Sequence, residues 1–244
     1  MIPAQFTFDE AVTWFFNKDL GGEAMAQKLF NEFNLHWIIY QSNVTEAEYL
    51  SNKSITVPAD FKGLKFRGTG WSTKVVNEMG GSGVLMPYQD VYSALERGLI
   101  DACEVGTPSG NWDLKFHEVV KYQGFPGIHK LWETAGLMIN NDAWKKLPRD
   151  LQAVVEVCCY ENLLKNAAFG WWDSVIAVEK QKAYGMKMVV ETPELQKYWR
   201  DNAWRMADDI GKTDAKWKAL WDPMKDFMKR MGEYEKLQTP NYGP

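Results

Sequence analysis

An α/β protein of two lobes joined by one long helix is the architecture this chain predicts, and three observations carry it. Segments with helical periodicity alternate with short apolar stretches of strand type along most of the 244 residues. Strands separated by helices of this length favour parallel sheet. From Pro148 to Tyr184 no further proline interrupts a helical pattern. A helix of about 35 residues is roughly 50 Å long, more than a small domain is wide, so it must cross more than one structural unit.

The elements follow in order. Residues 8–17 and 22–33 read as short amphipathic helices, and "LHWIIYQ" (35–41) as a strand. In "VPADFKG", Pro58 and Asp60 favour a short helical turn that Gly63 ends. Strand 64–67, helix 71–79, strand 83–87 and helix 88–97 come next, the last closed by Gly98. Residues 99–106 are strand-like, Pro108 to Lys115 a helical turn, and "EVVKYQ" a strand. Strand 134–140 leads to the long helix, and strand 187–191 to a helical tail rich in Trp and Lys. No repeat or low-complexity segment appears.

Composition excludes several classes of function. A hydrophobic share of 45% and a charged share of 25% are ordinary for a soluble globular chain. A net charge of -4 leaves no basic footprint for nucleic acid. Aromatics are abundant, with 12 Trp, 10 Tyr and 12 Phe, and serve cores first and ligand pockets second. Cys103, Cys158 and Cys159 have no metal spacing and read as structural thiols. No apolar run reaches the ~18–20 residues that span a bilayer. "MIPAQFTFDE" lacks the basic and apolar regions of a signal peptide, so the protein is cytoplasmic or the chain starts downstream of the native start. His36, His117 and His129 are scattered, and there is no HExxH, GxSxG, P-loop or GxGxxG. The chain reads as no enzyme, and His129 as a structural histidine.

The stretch "GLKFRGTG" (63–70) points to a binding site instead. Leu64 and Phe66 alternate with Lys65 and Arg67, and glycines follow. An arginine at the carboxyl end of such a strand sits where α/β folds bind ligands. Its planar fork matches a carboxylate with paired donors. An interlobe salt bridge is the bland alternative.

"PADFKGLKFRGTG", "GVLMPYQDVYSALERGLIDACEVG" and "NDAWKKLPRDLQAVVE" resemble, in order and spacing, the solute-binding subunits of tripartite ATP-independent periplasmic (TRAP) transporters. The resemblance covers nearly the whole chain from about residue 35. It implies a two-lobed periplasmic-binding-protein fold with a spine helix, a periplasmic location, a small organic-acid ligand and membrane permease subunits as partners. It also implies a missing N-terminal segment, and hence an incomplete first lobe. Residues 1–66 and 134–190 are expected to form lobe I, 67–133 lobe II, and 191–244 a tail packed on both. Exposed sheet edges and the long helix near Phe169, Trp171 and Trp172 then predict a homodimer. The competing reading is a fragment with only a structural or oligomeric role, its Trp199, Trp204, Trp217 and Trp221 covering apolar surface by self-association.

The resemblance makes Arg67 the carboxylate clamp and places Glu104 near the ligand. In the keto-acid and lactate binders that glutamate helps hold a metal. Here Val105 stands where they have tryptophan, and Lys130 in "PGIHKLWE" replaces a second carboxylate ligand. A lost oxygen ligand and an added ammonium argue against Ca²⁺ or Na⁺, so no cofactor or metal is expected, and Lys130 supplies the charge. Trp71 and Tyr88 open helices facing the cleft and are pocket or core residues. Gln41 ends its strand in a region that lines the pocket in relatives. Glu46 and Glu48 belong to a solvated face or, if they face the cleft, to a ligand with an amine or hydroxyls. Trp132 and Glu133 are further candidates beyond a hinge.

Overall fold

The computed structural model describes residues 6–238. In chain order the elements are α1 (Phe8–Phe16), α2 (Gly22–Asn31), β1 (Leu35–Asn43), β2 (Tyr49–Ser51), β3 (Lys65–Arg67), α3 (Trp71–Glu78), β4 (Ser82–Val84), α4 (Val91–Glu96), β5 (Ala102–Cys103) and α5 (Pro108–Asp113). Then come β6 (Tyr122–Phe125), β7 (Glu133–Asn140), α6 (Asn141–Lys146), α7 (Arg149–Tyr184), β8 (Lys187–Val190), α8 (Pro193–Gly211) and α9 (Ala215–Gln238). Local chemistry sets several boundaries. Thr7 and Glu10 form a reciprocal capping box that starts α1. Gly185, at φ 111°, ends α7 in the left-handed region, where a side chain would be strained. Thr192 caps α8 and Pro193 takes its first helical position.

Two sheets organise the chain. A six-stranded sheet has the order β4-β3-β5-β2-β6-β8, and β1 pairs with β7 in a two-stranded sheet. Alternating residues of the larger sheet feed cores on its two sides. Tyr49, Phe66 and Ala102 join Phe61, Val76, Leu195 and Trp199. Leu50 and Cys103 join Val91, Leu95, Ile100 and Phe116. A third cluster packs Trp14, Trp37 and Trp132 with Trp221 and Phe227 of α9. The long helix α7 runs along β1 and also meets α5 and β8, so it does touch both sheets.

The α/β class and the spanning helix agree with the sequence expectation, but the pairing is more mixed. Strands β3–β4, β3–β5 and β6–β8 are parallel. Strand β2 is antiparallel to both β5 and β6, and β1 is antiparallel to β7. Three residues are too few to show a period, so β2 was not foreseen. The expected strand 99–106 is only Ala102–Cys103, and that at "EVVKYQ" moves to Tyr122–Phe125. The sheets also divide the chain differently from the expected lobes. Strand β3 crosses the boundary at residue 66, while β2 and β8, both assigned to lobe I, pair within the larger sheet. The reason is hydrogen bonding: β2 is the strand that joins β5 to β6. In the tail, Trp199 and Trp221 are fully buried within their own chain, which removes them from any self-association surface. Of the tail's expected span, 239–244 lie outside the described residues, as do 1–5 of the first lobe.

Candidate functional site

Parallel strands β3 and β5 bring Arg67 and Cys103 into register, and Glu104 follows at the strand end, its N–H donating to the Arg67 carbonyl at 3.0 Å. The Arg67 guanidinium is buried and partly committed. Its Nε and Nη2 donate to the Met86 carbonyl at 3.3 and 3.2 Å, and Nη1 to the Glu104 carbonyl at 2.8 Å. Guanidinium carries five N–H donors, so two remain for another acceptor. The Glu104 carboxylate lies 3.9 Å from Nη1 and accepts from the Thr69 hydroxyl at 2.8 Å.

The turn after β6 supplies the centre of the site. Gly127 packs so closely that a Cβ there would lie 2.0 Å from the Glu46 carbonyl, so only glycine lets this turn reach the 46–48 segment. His129 follows, almost fully buried. Its Nε2 is 3.1 Å from carboxylate oxygens of both Glu46 and Glu104. Its Nδ1 is 3.2 Å from Glu48, and its backbone N–H donates to that same oxygen at 3.0 Å. Lys130 donates to Glu46 at 2.7 Å and pairs with Glu133 at 3.3 Å. Glu133 in turn accepts from Asn43.

Burial and charge shift these groups in opposing senses. Burial alone would lower the pKa of His129, but Glu48, Glu104 and Glu46 hold it well above the usual histidine value. Burial would raise Glu104; the hydrogen bond and charge of His129, with Thr69 and Arg67, instead pull it down to about 2. Lys130 is raised because Glu46, Glu133 and Glu104 outweigh its desolvation. Behind the cluster, Glu191 is buried with neither carboxyl oxygen hydrogen-bonded. Desolvation and then the field of Glu48 push it up to about 10, so it is neutral at neutral pH.

A cavity of about 270 Å³ opens on this cluster, lined by Thr69, Gly70, Trp71, Ser72, Glu104, His129 and Lys130. It is roomy enough for a small organic molecule. Of the residues marked in the sequence, Trp71, Glu104 and Lys130 line it, and Arg67 lies against Glu104. Trp71 also stacks on Trp217 at 6.2 Å, so it is both wall and core. The others are elsewhere. Val105 packs into the core beside Cys103. Gln41 bonds its neighbour Asn43 along β1. Tyr88 sits in a short 3₁₀ turn, exposed, with α4 starting only at Val91. Trp132 is buried in core and donates to Ser42 at 2.5 Å.

One expectation is reversed. Glu46 and Glu48 are 5% and 1% exposed and belong to no solvated face. His129 is buried, as a structural histidine is, and what the sequence did not show is that three carboxylates converge on it. One signal was available. Acids spaced i, i+2 fall on one side of an extended chain, and Glu46 and Glu48 both reach the same imidazole while Ala47 binds Gly106.

Residues 1–214 match the model for the bacterial extracellular solute-binding proteins of family 7. The chain is 24% identical over 245 aligned residues to the monocarboxylate 2-oxoacid-binding periplasmic protein of Nostoc sp., covering 99% of this chain and 66% of that relative. It is 31% identical over 121 residues to the C4-dicarboxylate-binding periplasmic protein of Rhodobacter capsulatus, 46% of this chain and 33% of the relative. The chain thus spans between a third and two thirds of these relatives. In fold it is similar to a TRAP transporter solute-binding protein of Bordetella bronchiseptica with calcium and picolinate (TM-score 0.86, 23% identity, 97% of this chain and 70% of that one). A protein of Colwellia psychrerythraea with calcium and pyruvate is as similar (TM-score 0.86, 21% identity, 97% and 72%).

Proposed function

We propose, for a chain that belongs to the bacterial extracellular solute-binding proteins of family 7, that it captures a small organic acid in the periplasm for a TRAP-type permease. The observation that carries this reading is Arg67. It is buried at a strand end, keeps two unused donors, and lies against Glu104, which lines a cavity of about 270 Å³. Two parallel N–H donors from one planar group recognise a carboxylate better than any single cation. Trp71 supplies an apolar wall, and Thr69 and Ser72 add hydroxyls. In this reading the groups bind and orient the acid. A thermal-shift screen with pyruvate, other 2-oxoacids, C4-dicarboxylates and picolinate tests the reading. Saturating ligand at 100 times its Kd stabilises by about 2.7 kcal/mol. No shift with any acid overturns it.

The partner on the other side of the molecule is a second copy of this chain. Along α7, Val154, Val157, Leu164, Trp171 and Val175 are exposed and recur at three- and four-residue steps around Glu161 and Ala168. That register is the seam of a helix pair. Phe169 and Trp172, also exposed, widen it. Light scattering should give a dimer, and Leu164→Lys with Trp171→Lys a monomer; a monomer before substitution overturns the assignment.

A further inference from the structure

The Bordetella and Colwellia proteins hold calcium with their acids. The residues of this chain do not fit such an ion. Donor atoms of Glu46, Glu104 and His129 lie within 4.8 Å of one another, near enough for one cation to reach all three. Yet Ca²⁺ takes about six to eight oxygen ligands, and here the middle of the oxygens is filled by an imidazole. Both its nitrogens face carboxylate oxygens, which only accept hydrogen bonds, so both must carry protons and the ring is a cation. The Lys130 ammonium adds a second cation 2.7 Å from Glu46.

We infer that the His129 imidazolium, with Lys130 beside it, takes the part of a bound metal ion, so that this chain captures its solute without one. The charges close. Arg67, His129 and Lys130 stand against Glu46, Glu48 and Glu104, and Glu191 is held neutral by its burial. Glu133, at the rim, is half-exposed and shares Lys130. A divalent ion entering this balanced set would meet two fixed cations and find neither Glu46 nor Glu104 with a free oxygen, since each is held through both. The unpartnered oxygens among these groups are Oε1 of Glu48 and the two of Glu191, whose carboxyl is neutral. The ring is also a better-defined group than an ion. It holds Glu104 through the oxygen that Thr69 leaves free, and so fixes a carboxylate that lines the cavity and lies 3.9 Å from Arg67. His129 acts as a positioning residue here, through Glu104. The capture half of this inference rests on the proposed function; the caged imidazolium stands on its own geometry.

Three measurements decide it, two of them on the unaltered protein. Metal analysis of purified protein should find no stoichiometric calcium or sodium-dependent stability, and the melting temperature should be the same in EDTA and in excess CaCl₂. Nitrogen-15 NMR should show protons on both ring nitrogens of His129 across about pH 6 to 8, where free histidine loses one, with the resonance assigned by its loss in His129→Gln. The double variant His129→Gln, Lys130→Met should melt lower and regain stability with added CaCl₂. If it does not fold, the first two results stand. Stoichiometric calcium, a fall in melting temperature with EDTA, or a ring nitrogen without its proton overturns the inference. With pyruvate or picolinate as probe, affinity should not change on chelation; a loss sinks the capture half alone. Binding of no acid at all overturns the proposed function, while NMR still decides the imidazolium.

Discussion

The end of β3 and the outer side of α7 break the ordinary rule of burial in opposite directions. At the first, six ionisable side chains (Arg67, Glu46, Glu48, Glu104, His129 and Glu191) are under 7% exposed. At the second, Val157, Leu164, Phe169 and Trp172 are each more than half exposed on one helix. Charged groups are almost never fully buried unless paired, and large apolar patches are rarely left in water without a reason. The difference teaches where to look for function. Buried charges that pair with one another, as Glu46, Glu48 and Glu104 do with His129, mark a site built around small charged groups. Exposed apolar surface marks a place where something large settles.

The comparison breaks most easily at His129. His129→Ala would leave three carboxylates buried around a void, and removing one partner of a buried ionic group costs about 3–5 kcal/mol. Chemical denaturation should show that loss; a change under 1 kcal/mol would mean the cluster is wet and its charges unpaired. Arg67→Ala comes next. It should cost about 2–5 kcal/mol of solute affinity, roughly 30- to several-thousand-fold, with the melting temperature of the free protein less affected than in His129→Ala. Unaltered affinity by calorimetry removes Arg67 from the site.

A pH series sharpens the same region. His129 in the folded chain titrates well above 6.5, so its contribution is complete below about 6.5 and fades as pH rises through the folded value. Glu191 is raised from 4.5 to about 10, so folding also favours its proton, and stability falls as pH climbs between those values. Glu104, near 2, contributes above its ordinary value and loses that contribution as pH drops toward 2. Stability should therefore peak at about pH 5 and decline toward alkaline pH. Glu191→Gln should flatten the alkaline decline; an unchanged slope would show that Glu191 is ionised after all. The smallest expected effect is on the other side. Trp172→Lys should alter the stability of an isolated chain by no more than about 0.5 kcal/mol, as exposed positions do. Its effect belongs in the proposed dimer, read by light scattering, and a large loss of monomer stability would show that this face is packed within the chain.

Sequence alone determined what is periodic or local. The run to Tyr184 without an interior proline fixed a helix found as Arg149–Tyr184, because helical hydrogen bonds close within four residues. Strand, Arg67 and glycines fixed a polar group at a strand end, since a two-residue alternation and a backbone break are visible in eight residues. Tertiary structure alone decided the meeting at His129. Its partners Glu48 and Glu46 lie 81 and 83 residues away, and nothing in either segment's own pattern refers to the other. The strand that positions them, β2, is three residues long and exists because β5 and β6 leave a gap for it. So Lys130, next in the chain, drew notice for its charge, while the neighbouring histidine drew none. A side chain's charge state belongs to its surroundings, and those are assembled only when distant segments pack.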